Sequence, residues 1–188
     1  MRVIAGISKG RKLKVPHGPD IRPVTDTIKE AFFNSVGPYL EGKTFLDLFA
    51  GSGSMGIEAL SRMAEAAVFV EKNPQAVAVI WENLRLCQLE SRARVIRGDV
   101  FRVTEKMSRN GERFDLVYVD PPFRQTTFFT QILNRLANLM NPGGLAVVRS
   151  LRSLSMTAGT PELVRVRVST YGDSALHYYR LAAETVPD

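Results

Sequence analysis

The segment TFLDLFAGSGSMGIEALSRM, residues 44–63, contains two hydrophobic patterns joined by glycines. Residues 44–49 are mostly apolar and include two phenylalanines, which is typical of a buried strand. The last ten residues have the composition of a helix. Between the two lie Gly51 and Gly53, which together with Gly56 match the pattern G-x-G-x-x-G. The segment therefore predicts a strand, a tight turn and a helix, the repeating unit of an α/β fold.

The same alternation continues through the rest of the chain. Further strands are predicted at 66–71, 93–98, 114–120 and 143–150, and helices at 74–89, near 100–108 and at 126–140. Residues 162–182 predict two strands around a Tyr-Gly-Asp turn. Alternating elements of this kind predict a doubly wound, mostly parallel sheet with right-handed crossovers. We expect seven strands, with the antiparallel C-terminal hairpin at one edge.

The N-terminal part of the chain has a different pattern. Residues 1–22 carry several glycines and prolines and predict short strands or a hairpin. A helix is predicted next, ending at Gly37-Pro38. Its candidate N-caps are Thr25, Asp26 and Thr27, and Thr27 with Glu30 fits a capping box. We therefore predict an N-terminal arm plus helix at residues 1–40 and the α/β domain at residues 41–188.

Basic residues are concentrated in this arm. The chain has 25 Lys and Arg against 19 Asp and Glu, a formal net charge of +6. The stretch SKGRKLKVP contains Lys9, Arg11, Lys12 and Lys14, and Arg2, Arg22 and Lys29 add to the same end. A clustered positive charge favours a polyanionic partner such as RNA or DNA, because binding releases condensed counterions.

Several classes of protein are disfavoured by composition. No apolar run approaches the ~20 residues that a membrane span requires, and the N-terminus has no apolar signal-peptide core. Cys87 is the single cysteine, so neither an intramolecular disulfide nor a cysteine zinc cluster is expected. We predict a cytoplasmic protein, monomeric, with no membrane or metal partner.

Two acidic residues after predicted strands indicate a nucleoside-containing cofactor. Glu71 ends the second strand, and its carboxylate could accept hydrogen bonds from both ribose hydroxyls. Asp99 follows the third strand and could hold an adenine amino group, with a helix N-cap as the alternative role. The glycine turn and Glu71 fit a nicotinamide dinucleotide and S-adenosylmethionine equally well, and the turn alone could also be structural.

Asp47 and the sequence Asp120-Pro121-Pro122-Phe123 favour S-adenosylmethionine. Asp47 lies in the first strand, where a dinucleotide fold usually has an apolar residue. The second motif ends the fourth strand beside the same crevice. A nucleobase amine is a poor nucleophile because its lone pair is delocalised into the ring. The Asp120 carboxylate and the Pro121 carbonyl could accept its two hydrogens, and Phe123 could stack on a flipped base.

Three alternatives follow from the residues. A DNA adenine-N6 methyltransferase would use the same motif, although 188 residues leave little room for a target-recognition domain. A nicotinamide dehydrogenase would rest on the glycine turn alone and has no use for Asp120. A non-catalytic RNA-binding module would not need the acids and glycines of a cofactor site. This chain has all of them: Asp47, Gly51, Gly53, Glu71 and Asp120.

The segments DLFAGSGSMGIEALSRMA, VEKNPQAVAVIWENL and LVYVDPPF resemble Rossmann-like class I S-adenosylmethionine-dependent methyltransferases. With the N-terminal RVIAGISKGRKLKVP and RPVTDTIKEAFFNSV, the chain is similar to the RsmD-type bacterial 16S ribosomal RNA guanine-N2 methyltransferases, from residue 1 to roughly residue 181. That resemblance implies methylation of N2 of the position-966-type guanine, in the small ribosomal subunit.

The resemblance also implies roles for individual residues. The cofactor would contact Asp47, Ala50, Gly51, Ser52, Gly53, Glu71, Lys72, Asp99 and Val100. The target base would meet Asp120, Pro121, Pro122 and Phe123. RNA would contact Arg2, Lys9, Arg11, Lys12, Lys14, Arg22, Thr25 and Asp26. The chain departs from the commoner pattern at Phe123, where tyrosine is usual, and at Arg149-Ser150, where an acid is common.

Overall fold

The computed structural model describes residues 1–16, 24–122 and 126–182. Its helices are α1 (Asp26–Val36), α2 (Ser54–Ser61), α3 (Pro74–Cys87), α4 (Val100–Arg109) and α5 (Thr126–Leu136). Its strands are β1 (Thr44–Leu48), β2 (Ala66–Glu71), β3 (Ala93–Arg97), β4 (Phe114–Val119), β5 (Met140–Leu151), β6 (Leu163–Tyr171) and β7 (Ser174–Leu181). Of the helices in these residues, none has the length and apolar character needed to cross a bilayer.

The described strands form a seven-stranded sheet in the order β3-β2-β1-β4-β5-β7-β6. β7 runs antiparallel to both of its neighbours, whereas the other pairs are parallel. The predicted fold is therefore confirmed, including the antiparallel C-terminal hairpin. The strand order reverses direction between β1 and β4, and a crevice at that switch point is where open α/β sheets bind ligands.

Both faces of the sheet are buried, which explains why the central strands are almost continuously apolar. On one face, Phe45 of β1 and Phe69 of β2 pack in a cluster with residues of α1, α2 and α3. On the other face, Leu46 and Leu48 of β1 pack with residues of α5, including Ile132. This double burial holds the carboxyl ends of the strands in fixed positions.

Two element boundaries differ from the sequence prediction by more than two residues, and one of the three predicted N-caps of α1 is selected. β5 begins at Met140 and therefore includes the Asn-Pro-Gly-Gly sequence. Its extra residues form an irregularity in the pairing with β4, whose register shifts between Phe114 and Leu116. α5 ends at Leu136, and the next three residues form a 3₁₀ turn. α1 has Thr25 as its N-cap, whose side chain accepts a hydrogen bond from the N–H of Ile28 at 3.4 Å, so the alternative cap at Thr27 is not used.

The N-terminal arm, residues 1–16, is packed against the α/β domain. Val3 and Leu13 are buried in the same cluster as α1 and β1, and an isolated antiparallel bridge joins Arg2 to Lys12. Residues 1–16 thus form a hairpin-like element, as predicted, and residues 17–22 of the predicted arm are outside the described residues. The boundary at residue 40/41 remains a prediction, and the hydrophobic cluster contains residues from both sides of it.

Lys29 does not belong to the basic surface, contrary to the sequence prediction. Its side chain is completely buried, and its Nζ lies 3.3 Å from Glu58 Oε2 on α2. Glu58 also accepts the Nε–H of Arg62 at 3.0 Å. Burial lowers the pKa of Lys29, and the Glu58 carboxylate acts in the opposite direction. The lysine therefore helps to join α1 to α2 and is unavailable to an external partner.

Candidate active site

A cavity of about 620 Å³ opens at the carboxyl ends of β1, β2 and β4, at the switch point of the sheet. Its volume is within the range of small-molecule and cofactor sites. Its lining brings together eight predicted cofactor residues: Asp47, Ala50, Gly51, Ser52, Glu71, Lys72, Asp99 and Val100. Gly53 is outside the lining that the described residues form. The cavity is thus bordered by residues at or just after the ends of β1, β2, β3, β4 and β5.

The glycines of the β1–α2 turn have different structural roles. Gly51 has a φ of +55°, and a Cβ added there would meet no atom closer than 4.0 Å, so its backbone is open to the cavity. Gly53 is the left-handed N-cap of α2. At Gly56 a Cβ would come within 2.3 Å of the Phe69 ring. Gly51 therefore admits a ligand to the backbone, whereas Gly56 allows α2 to pack closely on β2.

The Glu71 carboxylate is fixed by backbone amides. Its Oε2 accepts the N–H of Gly51 at 2.8 Å, and its Oε1 accepts the N–H groups of Lys72 and Asn73, each at 2.8 Å. These bonds tie the end of β2 to the glycine turn that follows β1. The carboxylate is therefore held in a single orientation at the edge of the cavity. A ribose would reach lone pairs that these amides do not use.

Asp47 lies deep in the cavity, with 2% of its surface exposed. Its Oδ2 accepts the N–H of Gly56 at 3.0 Å. Burial raises the pKa of its carboxyl well above the ordinary value, and the nearby carboxylates of Asp120 and Glu71 raise it further. A positive ligand in the cavity would favour the ionised form of this carboxyl.

Asp99 is the N-cap of α4, which was the alternative role predicted for it. Its Oδ1 accepts the N–H groups of Phe101 at 3.1 Å and Arg102 at 3.3 Å. It nevertheless lines the cavity together with Val100. Because both capping bonds go to the same oxygen, capping the helix and facing a ligand are compatible roles for this carboxylate.

Asp120, Pro121 and Pro122 also line the cavity, directly after β4. The N–H of Asp120 donates to the Leu48 carbonyl of β1 at 3.3 Å, which fixes the motif at the switch point. The two prolines prevent β4 from continuing, since neither has an N–H to donate. Phe123, the fourth residue of the predicted motif, is outside the described residues. The acid that was predicted to meet an amine thus shares a cavity with the predicted cofactor residues.

Comparisons with known proteins place the chain in a family. The family model described as "Conserved hypothetical protein 95" matches residues 1–180. The chain belongs to this family. "Putative rRNA methyltransferase YlbH" of Bacillus subtilis (strain 168) is 37% identical over 186 residues, covering 96% of this chain and 98% of the relative.

Two further similar proteins support the resemblance seen in the sequence. "Ribosomal RNA small subunit methyltransferase D" of Escherichia coli (strain K12) is 35% identical over 144 residues, covering 77% of this chain and 68% of the relative. The solved structure "Putative methyltransferase yhhF from Escherichia coli" has a TM-score of 0.83 and 31% identity, covering 98% of this chain and 99% of that chain. The predicted similarity to RsmD-type proteins is confirmed.

Arg149 also lines the cavity, and no role was predicted for it from the sequence. It stands at a position where this family commonly has an acid. Its Nη1 lies 2.8 Å from Asp120 Oδ2. Only the register of the sheet reveals this contact, since the two residues are separated by 29 positions. The single signal in the sequence was the basic residue itself, in a place where an acid is common.

Tyr118 and Ser150 are further cavity residues that the sequence analysis did not select. The Tyr118 hydroxyl is buried and finds no hydrogen-bond partner among the described residues. Burial raises the pKa of this phenol well above its ordinary value, and the Asp120 carboxylate adds to the effect. Ser150 Oγ lies 2.9 Å from His177 Nε2, and burial lowers the pKa of that histidine to about 4, so it is neutral at physiological pH. Tyr118 and Ser150 therefore add polar, uncharged groups to the cavity wall, beside the charged pair of Arg149 and Asp120.

The predicted RNA-contacting residues form two groups. Arg2, Lys12, Thr25 and Asp26 line a second, open groove that shares Met1 and Val24 with the main cavity. Arg2 pairs with Asp26 at 3.2 Å, and Thr25 caps α1. Lys9 and Arg11 are exposed on the turn of the arm, and exposed Lys14 pairs with Glu82 at 2.9 Å. Arg22 is outside the described residues. The groove therefore runs from the basic arm to the mouth of the cavity.

Asn83 of α3 links the arm to the glycine turn. Its side chain is completely buried, and its Nδ2 donates to the carbonyls of Lys14 and Ser52, each at 2.9 Å. Its Oδ1 accepts the N–H of Lys14 at 2.8 Å. The basic arm and the cavity wall are consequently held together by one buried amide.

Proposed function

We propose that this protein is an S-adenosylmethionine-dependent methyltransferase that modifies the exocyclic N2 amine of a guanine in 16S ribosomal RNA of the small subunit. The observation that carries the proposal is the position of Asp120 and Pro121 in the same cavity as Asp47, Gly51 and Glu71. An amine acceptor and a nucleoside-cofactor site therefore meet at one switch point. The names of the family relatives support the class of reaction and the RNA substrate.

The charges in the cavity support S-adenosylmethionine over a dinucleotide. Four carboxyls line it, Asp47, Glu71, Asp99 and Asp120, against two basic side chains, Lys72 and Arg149. This excess of acid suits a sulfonium cation and opposes a pyrophosphate, which a dinucleotide fold would meet with a helix N-terminus. No group of three or more His, Cys, Asp or Glu among the described residues is arranged to hold a metal ion.

In the proposed reaction, the contribution of the protein's own residues is to orient the target amine. When bound, the cofactor supplies an electrophilic methyl group on a positively charged sulfur. Asp120 and the Pro121 carbonyl accept the two amine hydrogens, which favours tetrahedral geometry at nitrogen and makes its lone pair available. Asp47, Gly51 and Glu71 would hold the cofactor, which would supply its methyl group to this nitrogen and keep the electron pair of the carbon–sulfur bond. The amine then loses one proton, to Asp120 or to solvent.

The decisive experiment uses S-adenosylmethionine labelled in its methyl group. The enzyme is offered small ribosomal subunits that lack their own guanine-N2 methylation, naked ribosomal RNA and duplex DNA, and the products are digested to nucleosides. We expect label in N2-methylguanosine from the subunits. Label in N6-methyladenine from DNA would support S-adenosylmethionine as the cofactor but contradict RNA as the substrate. If no substrate received label, the proposed methyl transfer would be contradicted.

The basic arm is expected to give RNA binding its salt dependence. Replacing Lys9, Arg11 and Lys12 together with glutamine should reduce the slope of log affinity against log salt by about 2, since each lost phosphate contact removes about 0.7 for single-stranded RNA. The measurement is RNA binding at several salt concentrations. Lys14 is left in place because its charge is already paired with Glu82.

A matched control removes the same charge from another surface. Lys106 and Arg113, in and after α4, and Arg180 of β7 are exposed. Their replacement by glutamine should leave the slope within experimental error of the unmodified protein. Equal slopes for the two triple variants would show that net charge, and not the arm, attracts the RNA.

A further inference from the structure

Arg149 connects Asp120 to the far side of the cavity. Its Nη1 donates to Asp120 Oδ2 at 2.8 Å, whereas its Nε and Nη2 donate to Ser174 Oγ at 3.2 and 3.1 Å. We infer that Arg149 is a positioning residue, which keeps Asp120 ionised and oriented toward the target amine. This inference rests on the proposed function.

The register of the sheet creates this contact. Val119 of β4 pairs with Val148 of β5, so that Asp120 and Arg149 are the next residues along two neighbouring parallel strands. On the other side, Leu151 of β5 pairs with Ser174, the first residue of β7. Arg149 is therefore held from both sides by elements whose relative positions are fixed by sheet hydrogen bonds.

Burial makes the pair stronger than an ordinary surface ion pair. The side chains of Arg149 and Asp120 are only 11% and 20% exposed. Burial acts against the charged form of Arg149, but the carboxylate of Asp120 favours it, and overall the pKa of the guanidinium is raised. Removing Arg149 would take a charge-compensating partner away from a largely buried carboxylate.

Other groups around Asp120 would oppose its ionisation. Asp47 of β1 is a second carboxyl in electrostatic contact with it. The buried phenol of Tyr118 in β4 also interacts with Asp120, and Tyr178 of β7 interacts with Tyr118. Among these neighbours, Arg149 supplies the positive charge. A protonated Asp120 would lose acceptor capacity for the amine, so the guanidinium preserves the state that the proposed chemistry needs.

Arginine suits this position better than lysine. The planar fork allows Nη1 to face Asp120 while the opposite edge faces Ser174. A lysine ammonium is a single point charge and cannot hold both partners in a fixed plane. Arg149→Lys should therefore retain the positive charge but orient the Asp120 carboxylate only in part.

The test compares Arg149→Met with Arg149→Lys and with Arg152→Met, a nearby exposed arginine. We expect Arg149→Met to lower kcat by about 10²-fold with KM for both substrates nearly unchanged. The acid limb of its pH–rate profile should move upward by about one pH unit or more, because an adjacent arginine favours an ionised aspartate by that amount. Arg149→Lys should recover the acid limb but not all of kcat, and Arg152→Met should match the unmodified enzyme.

The outcomes separate this inference from the function on which it rests. An unchanged acid limb in Arg149→Met, with the loss of rate explained by a lower melting temperature, would overturn the positioning role. Arg149→Lys guards against that ambiguity, since a merely structural role would give it the same acid limb as Arg149→Met. If Asp120→Asn remained fully active, the proposed role of Asp120 would fail instead.

Discussion

Replacing Asp120 with asparagine is expected to lower the rate of methyl transfer by about 10³-fold while leaving cofactor affinity nearly unchanged. The loss follows from the chemistry of the amine, whose lone pair becomes available only when acceptors draw its hydrogens out of the ring plane. An asparagine oxygen is a weaker acceptor than a carboxylate. The expected magnitude is that of removing a positioned catalytic group. The measurement is single-turnover transfer to small subunits, beside cofactor titration by calorimetry.

Asparagine is a better test than alanine because Asp120 is the ion-pair partner of the largely buried Arg149. Alanine would leave the guanidinium without its partner in a largely buried place, and the cavity could rearrange. Asparagine keeps an oxygen within reach of Arg149 Nη1 and preserves side-chain volume. A matched control is Asp115→Asn, since Asp115 lies at the other end of β4 and its carboxylate bonds Thr44. That change should reduce stability without a specific effect on transfer, and equal losses of rate in the two variants would contradict the role of Asp120.

The sequence was sufficient for the fold because its signals are local. The β1 segment carries an apolar run, a glycine turn and a helical segment in twenty residues, and each remains interpretable without its neighbours. The start of β5 could not be predicted in this way. Asn-Pro-Gly-Gly is a strong turn signal, yet it lies within β5, because the register with β4 shifts there and absorbs the extra residues.

The site was predictable where a residue lies near or just after the end of a strand, and was missed where it depends on pairing across the sheet. Asp47, Glu71 and Asp120 follow from position in the chain, and all three line the cavity. Arg149 and Tyr118 become meaningful only when β4, β5 and β7 are placed side by side. Neither the unpaired phenol nor the ion pair leaves a trace in sequence spacing.

Lys29 shows the opposite failure, in which a residue type was interpreted without its surroundings. A lysine near a basic arm predicts an exposed charge, because lysine is rarely buried without a partner. The partner here is Glu58 of α2, which lies 29 positions away. Glu58 is itself inside a helix whose residues are all buried. Lys29 and Glu58, which are distant in the sequence, thus form a buried ion pair, and Arg62 is bound to the same carboxylate.

The second large effect is therefore expected at Glu58. Its Oε2 accepts the N–H of Ile4 at 2.8 Å and faces Lys29, while its Oε1 accepts the N–H of Ala5 at 2.9 Å and faces Arg62. Glu58→Gln keeps the shape but removes the negative charge between two buried cations, and turns a donor toward groups that already donate. We expect the free energy of unfolding to fall by about 3–5 kcal/mol, as when one partner of a buried pair is removed.

Urea denaturation provides the measurement, with Glu65→Gln as the matched control on an exposed side chain just beyond α2. The control should change the free energy of unfolding by no more than about 0.5 kcal/mol. Adding Lys29→Met to Glu58→Gln should recover part of the loss, because it removes one of the uncompensated charges. A loss below about 1 kcal/mol in Glu58→Gln would mean that the buried charges are hydrated or paired elsewhere.

The same variant is expected to release the arm before it unfolds the domain. The amides of Ile4 and Ala5 end on the Glu58 carboxylate, and the next anchor is Ser61, whose Oγ accepts the N–H of Ser8 at 3.0 Å. Weakening the first anchor should raise the rate of proteolysis within residues 1–16 while the α/β domain stays intact. Since that arm borders the groove leading to the cavity, RNA affinity should fall in parallel with arm protection. If proteolysis of the arm and of the domain accelerated together, the arm would be an inseparable part of the domain core, and Glu58 would stabilise the whole molecule without holding the arm separately.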